Sequence, residues 1–223
     1  MLVIPAINCP DISCIKERLS IVRALGARWV QFDVSDGVFV EHKTWDAPGS
    51  LDMGGISFEA HLMVESPQDA AEEWLLAGAS RIIFQIESDY DIAALKRLAE
   101  EYGARLMVSL CPDTPLNALS AVPNIKEVQI LAVEPGPSGQ NFVSGIMDKV
   151  KRLLELRPGV TIEIDGGVTP QVAREAKSLG IYSVAVGSYI FDSDDPENAY
   201  GELVSSKQQA ASIKYQVSRD NDK

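Results

Sequence analysis

The chain has 223 residues, of which 46 % are apolar, and a formal net charge of −12. This apolar fraction excludes a disordered chain, and no apolar run approaches the ~18–20 residues of a membrane span. The acidic balance argues against nucleic acid or an anionic membrane as a partner, although backbone N–H groups can still hold a small phosphorylated ligand.

The cysteines and the N-terminus indicate the cellular setting. Cys9, Cys14 and Cys111 are odd in number and widely spaced, which favours reduced thiols over a disulfide framework or a metal site. Residues 1–5 lack the basic region and the cleavage site of a signal peptide. We therefore expect a cytoplasmic protein.

Short apolar runs alternate with longer amphipathic stretches along the whole chain. The apolar runs predict buried parallel strands near residues 2–7, 28–34, 57–63, 81–86, 104–110, 127–133, 160–165 and 182–186. Apolar residues spaced by three and four predict helices over residues 11–25, 67–76, 92–102, 146–156 and 171–179.

This alternation predicts an α/β protein with one domain. Eight strand–helix units in 223 residues give about 28 residues each, close to the minimum for such a repeat, so a second domain has no room. We expect a domain over residues 1–204, and a helix end with a polar tail over 205–223. A closed barrel and an open doubly wound sheet both fit, and both place functional residues at the C-terminal ends of strands.

The second predicted strand ends in polar residues. Because alternate side chains of a strand share a face, Gln31, Asp33 and in part Ser35 are expected to face inward. An inward carboxylate is costly unless it is paired, hydrogen-bonded or bound to a cation, so Asp33 is a candidate functional residue. Asp36 has an alternative interpretation as a turn or helix-cap residue.

The third predicted strand contains His61, one of two histidines in the chain. A lone core histidine is more often a hydrogen-bonded structural residue than a functional one. Its place on the third strand nevertheless makes it a candidate for the site.

The last two predicted strands end in glycine-containing turns. Asp165 is followed by Gly166 and Gly167, and the eighth strand ends at Gly187 and Ser188. Glycines allow close approach of the backbone to a ligand, and barrels commonly bind phosphate with the loops after strands seven and eight. Together these turns predict a phosphate site.

Residues 133–142 follow the sixth strand and contain two glycines and two prolines. One interpretation is a plain surface loop. The other is a lid that closes over a substrate and excludes water.

The motifs together resemble those of the ribulose-phosphate 3-epimerase family over roughly residues 2–200. The shared stretches are 33–40 (DVSDGVFV here, DVMDGHFVP in the family), 61–64 (HLMV), 133–142 (VEPGPSGQNF here, VEPGFGGQxF in the family), 165–168 (DGGV) and 187–188 (GS). Several motifs in order are far more specific than any one of them. The family fold is a (β/α)8 barrel, so the resemblance implies a single TIM barrel.

The resemblance also implies a reaction and a site. The family interconverts D-ribulose 5-phosphate and D-xylulose 5-phosphate, and Asp33 and Asp165 match its two acid/base residues. Its divalent metal (zinc, iron, manganese or cobalt) is held by two aspartates and two histidines, of which Asp33, His61 and Asp165 match three. The matches to its substrate- and phosphate-binding positions are His61, Gly136, Pro137, Ser138, Gly139, Gly166, Gly167, Gly187 and Ser188. Homo-oligomers are common in the family, so self-association is a further expectation, with no surface assigned.

The chain departs from the family pattern at several positions near this site. Gln31 stands where the family has a metal-ligating histidine, and a neutral amide oxygen is a poorer ligand than imidazole for zinc or iron. Ala6, Ser35 and Gln85 stand where the family has serine, methionine and often histidine. Residues 136–139 are Gly-Pro-Ser-Gly instead of Gly-Phe-Gly-Gly, which predicts a stiffer and less apolar loop.

Two other functions stay open from the sequence. A different phosphosugar epimerase, aldolase or decarboxylase could use the same barrel, but no lysine is seen at the strand ends discussed and the DxKxxD signature of related decarboxylases is absent. The other alternative is a non-catalytic protein that binds a sugar phosphate.

Two further stretches have competing interpretations. His42 is expected to be a solvated loop residue, the alternative being an imidazole that approaches the site. The acidic run 192–197 is expected to cap a helix through Asp194 or Asp195, the alternative being a metal site.

Overall fold

The computed structural model describes residues 1–205, so the tail predicted over 206–223 lies outside the described residues. Eight parallel strands close into a barrel in chain order, which confirms the barrel over the open sheet. The strands are β1 (Leu2–Ile7), β2 (Trp29–Ser35), β3 (Ser57–Met63), β4 (Arg81–Gln85), β5 (Arg105–Leu110), β6 (Glu127–Leu131), β7 (Thr161–Asp165) and β8 (Ser183–Val186).

Helices surround this barrel. They are α1 (Ile12–Ala24), α2 (Pro67–Leu76), α3 (Ile92–Glu101), α4 (Ile146–Leu156), α5 (Pro170–Ser178), α6 (Ser188–Phe191) and α7 (Pro196–Val204), with short 3-10 helices at Pro48–Ser50 and Leu116–Ala121. The strand–helix alternation is therefore not strict, because β2 and β5 are followed only by 3-10 helices and β8 by two α-helices. Within residues 1–205, no helix is both long and apolar enough to span a membrane.

Side-chain caps determine where several helices begin. The Asp11 carboxylate accepts hydrogen bonds from the backbone N–H groups of Ser13 and Cys14 at 2.8 and 3.0 Å, so α1 begins directly after it. The Asp195 carboxylate accepts from the Asn198 N–H at 3.0 Å at the start of α7. This contact confirms that the acidic run caps a helix.

The alternation along each strand separates an apolar outer layer from a polar barrel interior. On β2, Phe32 faces outward and its ring lies 5.4 Å from that of Trp74 on α2, as the sequence predicts. Gln31 and Asp33 lie on the opposite face of the same strand. The buried apolar residues therefore form the layer between barrel and helices, and the polar side chains line the interior.

A buried charge cluster forms the floor of this interior. The Arg81 guanidinium contacts the carboxylates of Glu59, Glu127 and Glu163. Burial by itself lowers the pKa of Arg81, but these three carboxylates outweigh it and raise the pKa. Burial, followed by the charge of Glu163, raises the pKa of Glu59 well above its usual value.

The structure corrects the expectation of three reduced thiols. Cys9 and Cys14 form a disulfide across the β1–α1 connection, with their Cα atoms 5.7 Å apart, and Cys111 is free. The reason is local, because the loop after β1 turns into α1 and brings two cysteines five positions apart to bonding distance. The cytoplasmic location stays a prediction.

Candidate active site

Three titratable side chains predicted from the sequence meet at the C-terminal mouth of the barrel. Asp33 of β2 and His61 of β3 are register partners, and Asp165 ends β7. His61 Nδ1 lies 3.5 Å from Asp33 Oδ1 and 3.3 Å from Asp165 Oδ2. The two carboxylates are therefore near enough to contact one small molecule together.

Gln31 joins the two acids. Its side-chain Nε2 donates hydrogen bonds to Asp33 Oδ1 and to Asp165 Oδ2, both at 2.7 Å. Its Oε1 accepts from Gln129 Nε2 at 3.1 Å. The residue at the position of the missing histidine thus faces the acids with a donor group.

His61 is fully buried and held from behind. Gln85 Nε2 and His61 Nε2 are 2.7 Å apart, so the Gln85 amide contacts the ring nitrogen that does not face the acids. Burial by itself lowers the pKa of His61, but the contacts with Asp165 and Asp33 raise it to about 10. Gln85, one of the departures from the family pattern, is therefore an orienting neighbour of the imidazole.

These three residues fit a divalent cation. Asp33, His61 and Asp165 each offer one ligand atom, and the three atoms lie within 4.8 Å of one another. His61 Nδ1 is buried, faces both acids and makes no well-directed hydrogen bond within residues 1–205, so its unprotonated form can serve as a ligand. Carboxylate and imidazole groups are a suitable donor set for zinc, iron, cobalt or manganese.

A cavity above the acids is lined by the loops that the sequence predicted for phosphate. Gly166, Gly167, Gly187 and Ser188 lie on one side of it, and the 133–142 loop lies over it. Its volume is about 50 Å³, far below the ~300–1,000 Å³ of ordinary ligand pockets. The 133–142 loop therefore leaves little free space above the acids.

The paired glycines are required by the loop itself. A Cβ on Gly166 would collide with the Val133 side chain, and one on Gly167 would lie 2.5 Å from the Phe142 backbone nitrogen. Both glycines also have positive φ values, 98° and 61°. They therefore let the 133–142 loop pack directly on the turn after β7, a role beyond the ligand approach that the sequence predicts.

Asn8 lines the cavity and was not predicted to do so, and His42 contacts it from behind. Asn8 Nδ2 lies 3.4 Å from Asp33 Oδ2 and 3.1 Å from the Gly136 carbonyl oxygen, and His42 Nε2 is 2.8 Å from Asn8 Oδ1. His42 is half-buried, so the expectation of a solvated loop residue is wrong. The available signal was the position of Asn8 directly after β1.

Two other polar residues of the β2 end lie away from the cavity. Asp36 Oδ1 accepts from the N–H groups of Val38 and Phe39, which agrees with its turn interpretation. Ser35 is buried and lines a separate outer depression with Asp36. Ser35 is therefore absent from the cavity lining, in contrast to the expectation that it faces inward in part.

The match to a known protein family extends over nearly the whole chain. Residues 2–191 match the ribulose-phosphate 3 epimerase family. The chain is 33 % identical over 195 residues to ribulose-phosphate 3-epimerase of Treponema pallidum, covering 84 % of this chain and 89 % of that protein. It is 33 % identical over 220 residues to the Aquifex aeolicus protein of the same name, covering 95 % and 99 %.

Solved structures share the barrel at low sequence identity. The fold is similar to 3-hexulose-6-phosphate synthase from Salmonella typhimurium, with a TM-score of 0.70 and 16 % identity, covering 91 % of this chain and 96 % of that one. It is also similar to KGPDC from Streptococcus mutans, with a TM-score of 0.68 and 13 % identity, covering 90 % and 94 %. At these identities the likeness concerns the fold alone.

Proposed function

The chain belongs to the ribulose-phosphate 3-epimerase family, and we propose that its barrel mouth interconverts D-ribulose 5-phosphate and D-xylulose 5-phosphate. Its enzyme class is that of an isomerase, a carbohydrate epimerase. The observation that carries the proposal is the meeting of Asp33 and Asp165 under a cavity lined by glycine turns. The two alternatives from the sequence gain no specific support from the site.

Two carboxylates suit inversion of a carbon next to a ketone. One must remove the C3 proton while the other returns a proton to the opposite face. Asp33 and Asp165 project from β2 and β7, which approach the cavity from different sides of the barrel. We assign them the two acid/base roles, with opposed protonation states during the reaction.

In the proposed site, Asp33, His61 and Asp165 hold a divalent cation, with zinc, iron, manganese and cobalt as candidates. When bound, such a cation supplies positive charge that stabilises the negative charge developing on the sugar oxygens. Gln85 keeps the His61 ring oriented through its amide. Because the ring is already in position, it does not have to reorient during turnover.

The remaining predicted residues are assigned to substrate binding. Gly166, Gly167, Gly187 and Ser188 line the end of the cavity where backbone groups can hold the phosphate. The 136–139 segment closes over the sugar and excludes water from the deprotonated intermediate.

The direct test is conversion of ribulose 5-phosphate to xylulose 5-phosphate with Mn²⁺, Co²⁺, Zn²⁺ or Fe²⁺ added. The intact protein should turn over with at least one cation, and Asp33→Asn and Asp165→Asn should each abolish conversion. Asp36→Asn is the matched control, since its carboxylate caps a turn outside the cavity and its loss should leave kcat nearly unchanged. Absence of conversion with every cation would overturn the proposal.

Solvent exchange separates catalysis from binding. In D₂O the intact protein should place deuterium at C3 of the ketose phosphate, because the proton leaves the carbon during inversion. Binding of the sugar phosphate without any exchange would identify a non-catalytic binder. Exchange without epimerisation would identify a different reaction on the same barrel.

A further inference from the structure

Gln31 forms a bridge between the two acids. Its Nε2 donates to Asp33 Oδ1 and Asp165 Oδ2 at 2.7 Å each. Both contacts are charge-assisted, the stronger class of hydrogen bond. Gln31 is fully buried, so water does not compete for the amide.

The orientation of this amide is determined by the residues beneath it. Gln129 Nε2 lies 3.0 Å from Glu163 Oε1 and 3.2 Å from Asp165 Oδ2, and carboxylate oxygens accept only from donors. Gln129 Nε2 is therefore a donor. The Gln31 side-chain atom that lies 3.1 Å from it must be an acceptor, which assigns that atom as Oε1. Glu163 is in turn held by Arg81 at 2.5 Å and by the Ser183 hydroxyl at 2.6 Å. The chain from the barrel floor thus directs the Gln31 N–H group at the acids.

The two oxygens that Gln31 bridges are the ones nearest His61 Nδ1. They are Asp33 Oδ1 and Asp165 Oδ2, at 3.5 and 3.3 Å from that nitrogen. Since they lie nearest the imidazole nitrogen, they are the carboxylate oxygens best placed to hold a cation together with it. The Gln31 N–H groups engage one lone pair of each oxygen, and the amide oxygen that could serve as a ligand is turned away toward Gln129.

We propose that Gln31 is an internal competitor of the metal. Its amide holds Asp33 and Asp165 together when no cation is bound, and its N–H groups compete with a cation for the same two oxygens. Two features therefore lower the cation affinity of the site: the cation competes with the amide bridge, and the second imidazole ligand of the family is absent. This inference rests on the proposed function for what the cation does, but the binding claim itself requires no turnover.

The competing explanation is that Gln31 ligates the cation through its carbonyl oxygen and is merely a weak ligand. The two explanations predict opposite effects when the amide is removed. Replacement by leucine, which has similar volume and neither donor nor ligand, deletes a competitor in the first case and a ligand in the second. Leucine is thus more informative than histidine, which raises affinity under both.

The experiment is isothermal titration of the metal-free protein with Mn²⁺, comparing the intact chain with Gln31→Leu, Gln31→Ala and Gln31→His. We expect Gln31→Leu and Gln31→Ala to bind Mn²⁺ roughly tenfold more tightly than the intact protein, since a charge-assisted hydrogen bond is worth about that factor. Gln31→His should bind more tightly still. Thermal melting of each metal-free variant verifies that it folds, and Gln31→Ala serves if Gln31→Leu does not.

Affinity that falls, or that changes by less than about twofold, in both the leucine and alanine variants would overturn the inference. Turnover of ribulose 5-phosphate is measured separately on the intact protein. Tighter Mn²⁺ binding without turnover would sink the proposed function and leave the competition standing. Turnover together with unchanged Mn²⁺ affinities would support the proposed function and overturn the competition.

Discussion

Asn8 donates a hydrogen bond to the Gly136 carbonyl oxygen at 3.1 Å and so joins the end of β1 to the loop over the cavity. The same amide nitrogen lies 3.4 Å from Asp33 Oδ2, and its oxygen contacts His42 Nε2 at 2.8 Å. One side chain therefore links an acid of the site to the loop that lies over it. Loop closure and the position of Asp33 are expected to depend on each other.

Asn8→Leu should remove the contacts with the Gly136 carbonyl oxygen and with Asp33 while keeping a similar side-chain volume. Each lost hydrogen bond is worth about 1 kcal/mol, so kcat/KM for ribulose 5-phosphate should fall roughly 5–30-fold. Hydrogen exchange of residues 133–142 should become faster in the same variant. His42→Ala removes only the support of Asn8 and should have a smaller effect. An equal or larger loss in His42→Ala would contradict the role given to Asn8.

Gly167→Ala tests whether the glycine turn exists to accommodate the loop. The new Cβ would lie 2.5 Å from the Phe142 nitrogen, so the 133–142 loop could not pack down, and kcat/KM should fall about a hundredfold or more. Gly180→Ala is the matched control, since Gly180 also has a positive φ of 75°, but a Cβ there would meet no described atom within 4 Å. Both variants should lose about 1–2 kcal/mol of unfolding free energy from backbone strain, measured by urea denaturation.

Equal activities of Gly167→Ala and Gly180→Ala would show that loop packing on the turn is unimportant for turnover. Their shared backbone strain makes the comparison specific for the loop contact. A selective loss of activity in Gly167→Ala, with similar unfolding free energies, would support the closed position of the loop as the catalytic one.

Much of this site follows from the sequence, because strand periodicity and strand ends are local properties. The alternation around Asp33 and the acid-glycine turn at Asp165 placed both at strand ends, and the family resemblance implied that these strands form a barrel. The contacts of Asn8 and His42 could not be derived in this way, since they join side chains 34 positions apart across two loops. The direction of the Gln31 amide also depends on Gln129 and Glu163, whose relative positions only the closed barrel determines.

Glu59→Gln tests the protonation of the buried cluster. Glu59 Oε1 has no hydrogen-bond partner among the described residues, and burial raises the pKa of this acid well above its usual 4.5. Above pH 4.5 the unfolded chain releases this proton while the folded chain keeps it, so the intact protein loses stability as pH rises. Glu59→Gln has no such proton to lose. As pH rises, its unfolding free energy should therefore increase relative to that of the intact protein by up to about 1.4 kcal/mol per pH unit.

Urea denaturation at several pH values between about 5 and 7 measures this difference. Glu163→Gln is the control within the same cluster, because Glu163 accepts hydrogen bonds from Arg81, Gln129 and Ser183. Breaking that arrangement should cost about 3–5 kcal/mol at every pH. A comparable cost in Glu59→Gln, with no change in the pH slope, would mean that Glu59 is ionised in the folded protein.

The Cys9–Cys14 disulfide is tested by counting thiols. Protein purified without reductant and unfolded in guanidinium should react with a thiol reagent once per chain, at Cys111, and three times after reduction. Because the bridge closes a short loop of five-residue separation, its loss in Cys14→Ser should lower the unfolding free energy by about 2 kcal/mol. The bridge follows directly after Asn8, so we also expect Cys14→Ser to speed hydrogen exchange of the 133–142 loop. Three reactive thiols before reduction would restore the interpretation of a fully reduced chain.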